Sequence, residues 1–240
     1  MRGLILAIQF LTRLPTPQLH NVDPVRLQRS SHWFPLVGML IGVLLAATLW
    51  LGSRIDPWLG ALLTLLLWVW ITGALHLDGL ADMSDALGAA HRHRDRFLAV
   101  LADPHLGTFG VVSLVLQLAC KLVLLMLLAR GGQYWALLLI PAWARWGVLV
   151  WARLPTLKPG MGQRFGGQIT QPSIWIWGAL LLACSVGMPV LWCVPLLVVA
   201  WREFLLRRLG GMTGDLLGAG IEVVESLALL LLIVQTHINV

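Results

Sequence analysis

Five aspartates crowd a short stretch of a chain that is otherwise poor in acid. The sequence holds eleven Asp and Glu residues, and five of them fall within 26 positions: Asp78, Asp82, Asp85, Asp95 and Asp103. The first three are spaced i, i+4 and i+7, which on an α-helix puts them within about 60° of one face. Stacked like charges repel unless a cation bridges them, and Mg²⁺ prefers carboxylate and phosphate oxygens. The spacing favours a Mg²⁺ site for a phosphorylated substrate; the alternative is a helix end whose carboxylates only face water.

Positive charge and imidazole nitrogen lie close to the same stretch. Three arginines, Arg92, Arg94 and Arg96, against five aspartates leave it a net charge of −2, which a divalent cation would offset. The neighbouring histidines are His76, His91, His93 and His105. No pair of them has the i, i+4 zinc spacing with a third ligand, so we predict solvated or supporting roles for them and not transition-metal ligation.

A second acidic group follows the last loop. The glycine-rich residues 210–215 end at Asp215, and Glu222 and Glu225 follow inside an apolar run. Carboxylates within a membrane span are costly unless they line a polar cavity or have partners. Lys121 and Arg145 also fall inside apolar runs, so they either pair with these glutamates or hold a phosphate oxygen at the site. Both alternatives stay open at this stage.

The elements that must position these residues are membrane helices. The 240 residues are 58% hydrophobic and 12% charged, with a mean hydropathy of +0.83, which is typical of integral membrane proteins. Apolar windows long enough to span a bilayer cover residues 34–52, 58–77, 109–129, 134–151 and 216–236. A further run, 173–201, is interrupted at residues 187–189, as in a hairpin of two short helices. The sequence thus predicts an all-α bundle of about seven transmembrane segments in a single domain, residues 1–240.

Loop charge predicts the orientation of the bundle. With seven spans, thirteen of the seventeen Lys and Arg residues fall in loops on one side, and only Arg54 and Arg130 face the other. The positive-inside rule then places the N-terminus and both acidic groups in the cytoplasm and the C-terminus outside. We interpret residues 1–14 as an interfacial helix, with a retained signal-like anchor as the alternative. The net charge of +6 is spread over loops, so we expect the lipid bilayer and no nucleic acid as a partner.

Three long segments resemble one enzyme family. They read HLDGLADMSDALG over residues 76–88, RDRFLAVLADPHLGTFG over residues 94–110, and GGMTGDLLGAGIEVVE over residues 210–225. With FLTRLPTP (10–17) and FPLVGMLIG (34–42), they look like the cobalamin synthases, the adenosylcobinamide-GDP ribazoletransferases. This chain departs from the family pattern at one place, because Pro104 and His105 stand where the family often has Ser-Arg. Any phosphate-binding role of an arginine there does not carry over to this chain.

The resemblance implies a Mg²⁺-dependent enzyme of the bacterial inner membrane. Its substrates would be adenosylcobinamide-GDP and α-ribazole or its 5′-phosphate, joined with release of GMP in the nucleotide-loop assembly step of vitamin B12 biosynthesis. On this basis the expected Mg²⁺ ligands are Asp78, Asp82, Asp85, Asp103, Asp215 and Glu222. The expected catalytic residues are Asp82, Asp85, Lys121 and Arg145, with Asp85 as metal ligand or general base.

Two other classes also place carboxylates on membrane helices. CDP-alcohol phosphotransferases and aspartate-rich prenyltransferases arrange them around Mg²⁺ and a pyrophosphate, although their motif spacings match this chain less well. A transporter would use acids as ion or proton sites, but it favours acids at the midplane and an inverted repeat, and neither is visible here. The sequence leaves the oligomeric state open, a homo-oligomer included.

Overall fold

The computed structural model describes residues 2–17, 19, 28–90, 93–158 and 169–238. Every regular element of more than one residue within these ranges is helical, and the remaining pairing is an isolated bridge between Thr156 and Met212. The predicted all-α class is therefore confirmed. His91, Arg92 and part of the loop 152–172 lie outside the described residues.

The α-helices are numbered here in chain order. They are α1 (Arg2–Leu11), α2 (Phe34–Ser53), α3 (Pro57–Thr72), α4 (Leu75–Ala90), α5 (Arg94–Val100), α6 (Thr108–Arg130), α7 (Ile140–Trp151), α8 (Gln171–Cys184), α9 (Val194–Phe204) and α10 (Gly214–Ile238). Turns of 3₁₀-helix at Ser31–Trp33, Tyr134–Leu138 and Pro189–Cys193 precede α2, α7 and α9, and a π-helical turn at Leu205–Leu209 continues α9.

Five segments of the described chain are long and apolar enough to cross a membrane. They are Gln28–Ser53, Thr108–Arg130, Tyr134–Trp151, Pro189–Leu209 and Gly214–Thr236. The consecutive helices α3 and α4 meet the criterion together as a sixth. Helix α8 has 14 residues, fewer than the roughly 20 that a straight span needs. The structure therefore supports five or six spans, while the break expected near residues 187–189 is present, since α8 ends at Cys184 and helix resumes at Pro189.

The expected span 58–77 is not one straight helix. It breaks after Thr72, and α4 leaves α3 at an angle of 85°. Gly73 (φ +63°) and Ala74 (φ +60°) both adopt the left-handed conformation there, and Gly73 ends α3 because glycine enters that region without steric cost. The turn directs α4, with the acidic residues from position 78 onward, away from the axis of α3.

The outer surface of the bundle is apolar. Val115 and Leu116 on α6 are exposed, as are Trp175 and Ile176 on α8 and Leu196 on α9. Only 28% of the apolar window of Thr108–Arg130 is buried, against 72% for Gly214–Thr236 and 78% for Tyr134–Trp151. Such a surface is matched to lipid and not to water. Helices α7 and α10 form the centre of the bundle, and α6 and α9 lie at its periphery.

Small residues bring the central helices close together. A Cβ atom added at Gly38 on α2 would lie 2.5 Å from the Pro141 carbonyl oxygen of α7. Gly42, one turn further on, meets the backbone of Leu137 in the same way. This small-xxx-small contact lets the two backbones touch, and it holds α7, which carries Arg145, against α2.

Candidate active site

Helices α4 and α10 bring the two acidic groups together. A Cβ atom at Gly79 would lie 2.5 Å from the Asp215 carbonyl oxygen, and one at Gly218 would lie 3.3 Å from the Cα atom of His76. The absence of side chains at these two glycines lets the helices cross in near contact. Asp78 and Asp82 therefore lie beside Asp215.

The pKa of Asp82 reflects its burial and the nearby carboxylates of Asp78 and Asp215. Asp82 is half-buried. Partial burial and then the negative charges of Asp78 and Asp215 raise the pKa of Asp82 to about 6, against a smaller opposing effect of Lys158. Desolvation and like charge both disfavour the ionised carboxylate. A cation placed among the three carboxylates would remove this repulsion.

Lys158 is a site residue that sequence reasoning did not identify. Its Nζ atom lies 3.0 Å from Asp215 Oδ2 and donates a hydrogen bond of 2.8 Å to the Leu101 carbonyl. A short backbone pairing holds it there, because Met212 N–H donates to the Pro155 carbonyl and Leu157 N–H donates to the Met212 carbonyl. Since this pairing joins two loops far apart in sequence, no local pattern around Lys158 indicated its position.

Asp85 is held by the start of α6. Its carboxylate is buried and accepts hydrogen bonds from Gly107 N–H at 2.7 Å and from Gly110 N–H at 2.8 Å. Amides at a helix N-terminus have no partner within the helix, and a negative charge is favourable there. Asp85 thus fastens α4 to α6, and its expected action as metal ligand or general base stays a prediction.

Asp103 lies at the surface, in the loop before α6. It accepts hydrogen bonds from the His105 backbone amide (3.0 Å) and contacts the His105 Nδ1 atom at 2.6 Å. The hydrogen bond from the His105 backbone amide, and next the one from the His105 ring, lower the pKa of Asp103. The residue that departs from the family pattern, His105, therefore partners this aspartate.

The intramembrane charges pair with one another. Lys121 Nζ lies 2.7 Å from Glu222 Oε2 and 2.6 Å from Glu225 Oε2, and Arg145 Nη1 contacts Glu225 Oε1. All four side chains are buried. Of the two alternatives left open by the sequence, the ion pairs are the ones observed. The two cations and two anions sum to zero, so the interior carries no net charge from them.

Neighbouring side chains extend this network to five helices, namely α3, α4, α6, α7 and α10. Gln117 Nε2 on α6 donates to Glu222 Oε2 at 2.8 Å, and the Lys121 ammonium lies 4.3 Å from the centre of the Trp68 ring. On α4, His76 Nδ1 lies 3.3 Å from Arg145 Nη2. His76 is two residues before Asp78, so the buried network is in contact with the first turn of the helix that presents the acidic site.

The carboxylates fit a divalent cation that also binds substrate oxygens. Within the described residues, no three His, Cys, Asp or Glu side chains form a preformed metal cage. Mg²⁺ does not require one, since it commonly takes one or two carboxylates with water and phosphate oxygens. Asp78, Asp82 and Asp215 offer hard oxygen donors, and partial burial together with the charges of Asp78 and Asp215 raises the pKa of Asp82.

We expect Asp82→Asn to stabilise the metal-free protein at neutral pH. An acid whose pKa is raised in the folded state, here to about 6 from 3.8, favours folding when protonated and loses that contribution as pH rises through the folded-state value. Without divalent metal, the variant should therefore melt above the parent at pH 7.5, and the difference should close as pH falls through 6 towards 4. Asp95→Asn, on exposed α5, is the control. A pH-independent difference for Asp82→Asn would contradict the prediction.

Comparison with known proteins gives consistent matches over nearly the whole chain. Residues 3–233 match the family described as cobalamin-5-phosphate synthase. The chain is similar to an adenosylcobinamide-GDP ribazoletransferase of Laribacter hongkongensis, at 56% identity over 99% of both chains. It is also similar to the enzyme of that name from Thiobacillus denitrificans, at 53% identity over 96% of this chain and 94% of the relative. No solved structure matches.

Proposed function

The chain belongs to the cobalamin-5-phosphate synthase family, and from this premise we propose that it is a Mg²⁺-dependent membrane transferase joining adenosylcobinamide-GDP to α-ribazole or its 5′-phosphate. The products are adenosylcobalamin, or its 5′-phosphate, and GMP. This is the nucleotide-loop assembly step of vitamin B12 biosynthesis. The observation that carries the proposal is the meeting of Asp78, Asp82 and Asp215 beside Lys158 at the α4–α10 crossing.

The reaction is a substitution at phosphorus. A ribazole hydroxyl oxygen forms a bond to the phosphorus next to the cobinamide, and the bond from that phosphorus to the bridging oxygen of the pyrophosphate breaks. The bridging oxygen leaves with the electron pair as part of GMP, and the hydroxyl proton passes to a base. Positioning and electrostatic stabilisation supply most of the acceleration in such a step.

The residues of the chain divide this work. Asp78, Asp82 and Asp215 would hold Mg²⁺, which when bound neutralises charge on the pyrophosphate oxygens. Lys158 lies 3.0 Å from Asp215 and is placed to bind a phosphate oxygen. Lys121 and Arg145 act through the buried network that supports α4 and α10.

Purified protein should convert adenosylcobinamide-GDP and α-ribazole into adenosylcobalamin and GMP only when Mg²⁺ is present. A chelator should abolish turnover and added Mg²⁺ should restore it, because the carboxylates alone would repel a diphosphate. Product formation followed by chromatography is the measurement. A folded Asp78→Asn protein that is equally active at all Mg²⁺ concentrations would refute the metal assignment, and no turnover under any condition would refute the function.

We propose that the chain lies in the bacterial inner membrane with its active site facing the cytoplasm. The support is the loop charge: with α8 and α9 crossing as the predicted hairpin, thirteen of the seventeen basic residues share the side of the acidic site. Single cysteines at positions 54 and 94 should react with an impermeant thiol reagent from opposite sides of the membrane. The background needs Cys120, Cys184 and Cys193 replaced, because all three are free and exposed. Labelling of both positions from one side would exclude this orientation.

A further inference from the structure

A cavity lies along α4 from the acidic site. It encloses about 620 Å³ between the end of α4, helix α5 and the end of α9 with its π-helical turn. Its lining includes Leu87, Arg94, Phe97, Phe204, Arg207 and Arg208. We call this cavity the arginine groove. It combines three guanidinium groups with an aromatic floor.

The positive charge of the arginine groove is not neutralised by its own lining. No carboxylate lines it within the part of the chain that the structure describes. Arg207 Nε bonds Glu203 Oε2 at 3.0 Å, whereas Arg94 and Arg208 have no described carboxylate within ion-pair distance. Both side chains are exposed, so their N–H groups are free to donate hydrogen bonds to an anionic ligand.

The backbone around the groove is specialised. Arg207 and Arg208 lie in the π-helical turn Leu205–Leu209, and Gly210 follows in the left-handed conformation (φ +80°). Single π-helical turns are rare and occur frequently at functional sites. A Cβ atom at Gly210 would lie 3.4 Å from Arg94 Nη1, so the turn also brings α5 and the end of α9 together around the arginines.

The groove lies within reach of the acidic site. Leu87 and Ala90, which line it, follow Asp82 on the same helix by five and eight residues, or roughly 7 to 12 Å at 1.5 Å per residue. A dinucleotide-like substrate whose reacting phosphorus lies at Asp82 would extend its far half over this distance.

We propose that the arginine groove binds the guanosine monophosphate half of the substrate, an inference that rests on the proposed function. Arg94 and Arg208 bind the phosphate that leaves with GMP, where negative charge grows as the bond to the bridging oxygen breaks. Guanidinium groups pair with phosphate in a bidentate manner and stabilise such charge strongly. Phe97 and Phe204 form the apolar surface against which the base packs.

Product inhibition by GMP tests the groove. The protein, reconstituted in discs of zwitterionic lipid, is assayed with both substrates and Mg²⁺. We expect Arg94→Gln and Arg208→Gln each to raise the inhibition constant of GMP and the KM for adenosylcobinamide-GDP by at least tenfold, with the KM for α-ribazole unchanged. The GMP inhibition constant of Arg208→Lys should lie between those of the parent and Arg208→Gln, because lysine keeps the charge and loses the bidentate geometry. Arg54→Gln, in the turn between α2 and α3, is the matched control and should behave as the parent.

The outcomes separate this inference from the function that it rests on. If the parent protein does not turn over, the proposed function fails and the groove assignment fails with it. If the parent turns over and the Arg94 and Arg208 variants keep the parental GMP inhibition, only the groove assignment is wrong. Repeating the assay in discs of phosphatidylglycerol tests whether the groove binds the phosphate of a lipid headgroup instead. Variants that lose a phosphatidylglycerol response while GMP inhibition stays parental would assign the groove to a lipid headgroup and overturn the proposal.

Discussion

Replacing either Asp82 or Asp215 with asparagine is expected to lower the rate of adenosylcobalamin formation by about two orders of magnitude or more, roughly 3 kcal/mol of transition-state stabilisation. Asparagine has almost the same volume as aspartate but lacks the anionic oxygen that Mg²⁺ needs. The fold should survive, since neither side chain is fully buried. Steady-state kinetics at saturating Mg²⁺ is the measurement.

The double variant is the sharper test. Asp82 and Asp215 interact across the α4–α10 crossing, so we expect them to act as one unit with effects that do not add. The Asp82→Asn/Asp215→Asn protein should be little slower than the poorer single variant. Asp95→Asn, an exposed aspartate on α5, should keep parental activity. Rate losses that simply multiply would show two independent sites.

Lys121→Met is expected to destabilise the protein by about 3 to 5 kcal/mol, the cost of leaving a buried charge without its partner. Lys121 is the shared cation of Glu222 and Glu225, at 2.7 and 2.6 Å. Its removal leaves two buried carboxylates with Arg145 as the remaining cation of the network. Equilibrium unfolding in mixed micelles, followed by tryptophan fluorescence, would measure the loss.

A compensating change separates charge balance from packing. Lys121→Met combined with Glu222→Gln restores a neutral interior, with Arg145 still paired to Glu225. We expect this double variant to be more stable than Lys121→Met alone. Glu203→Gln is the control, because its pairs with Arg202 and Arg207 are partly exposed, and exposed pairs contribute about 1 kcal/mol or less each. A double variant less stable than Lys121→Met would contradict the charge-balance account.

The Lys121 and Asp85 environments show where sequence reasoning stopped. The sequence named Lys121, Arg145, Glu222 and Glu225 as costly intramembrane charges, and it left their pairing open. The i, i+7 spacing put Asp85 on the same helix face as Asp78, and the structure adds that Asp78 is exposed, Asp82 half-buried and Asp85 buried against Gly107 and Gly110. Spacing along one helix does not reveal what each turn contacts.

The sequence by itself determined the helical class, most of the span boundaries and the residues of the two acidic groups. These depend on local quantities, namely the length of apolar runs and the 3.6-residue period. Only the tertiary structure decided the break after Thr72, the contact of Gly79 with Asp215, the place of Lys158 and the arginine groove. Each of these depends on how helices distant in sequence pack against one another. That packing is governed by many small contributions from side-chain packing and close backbone contacts. A short stretch of sequence does not specify them, because each contact needs a partner from elsewhere in the chain.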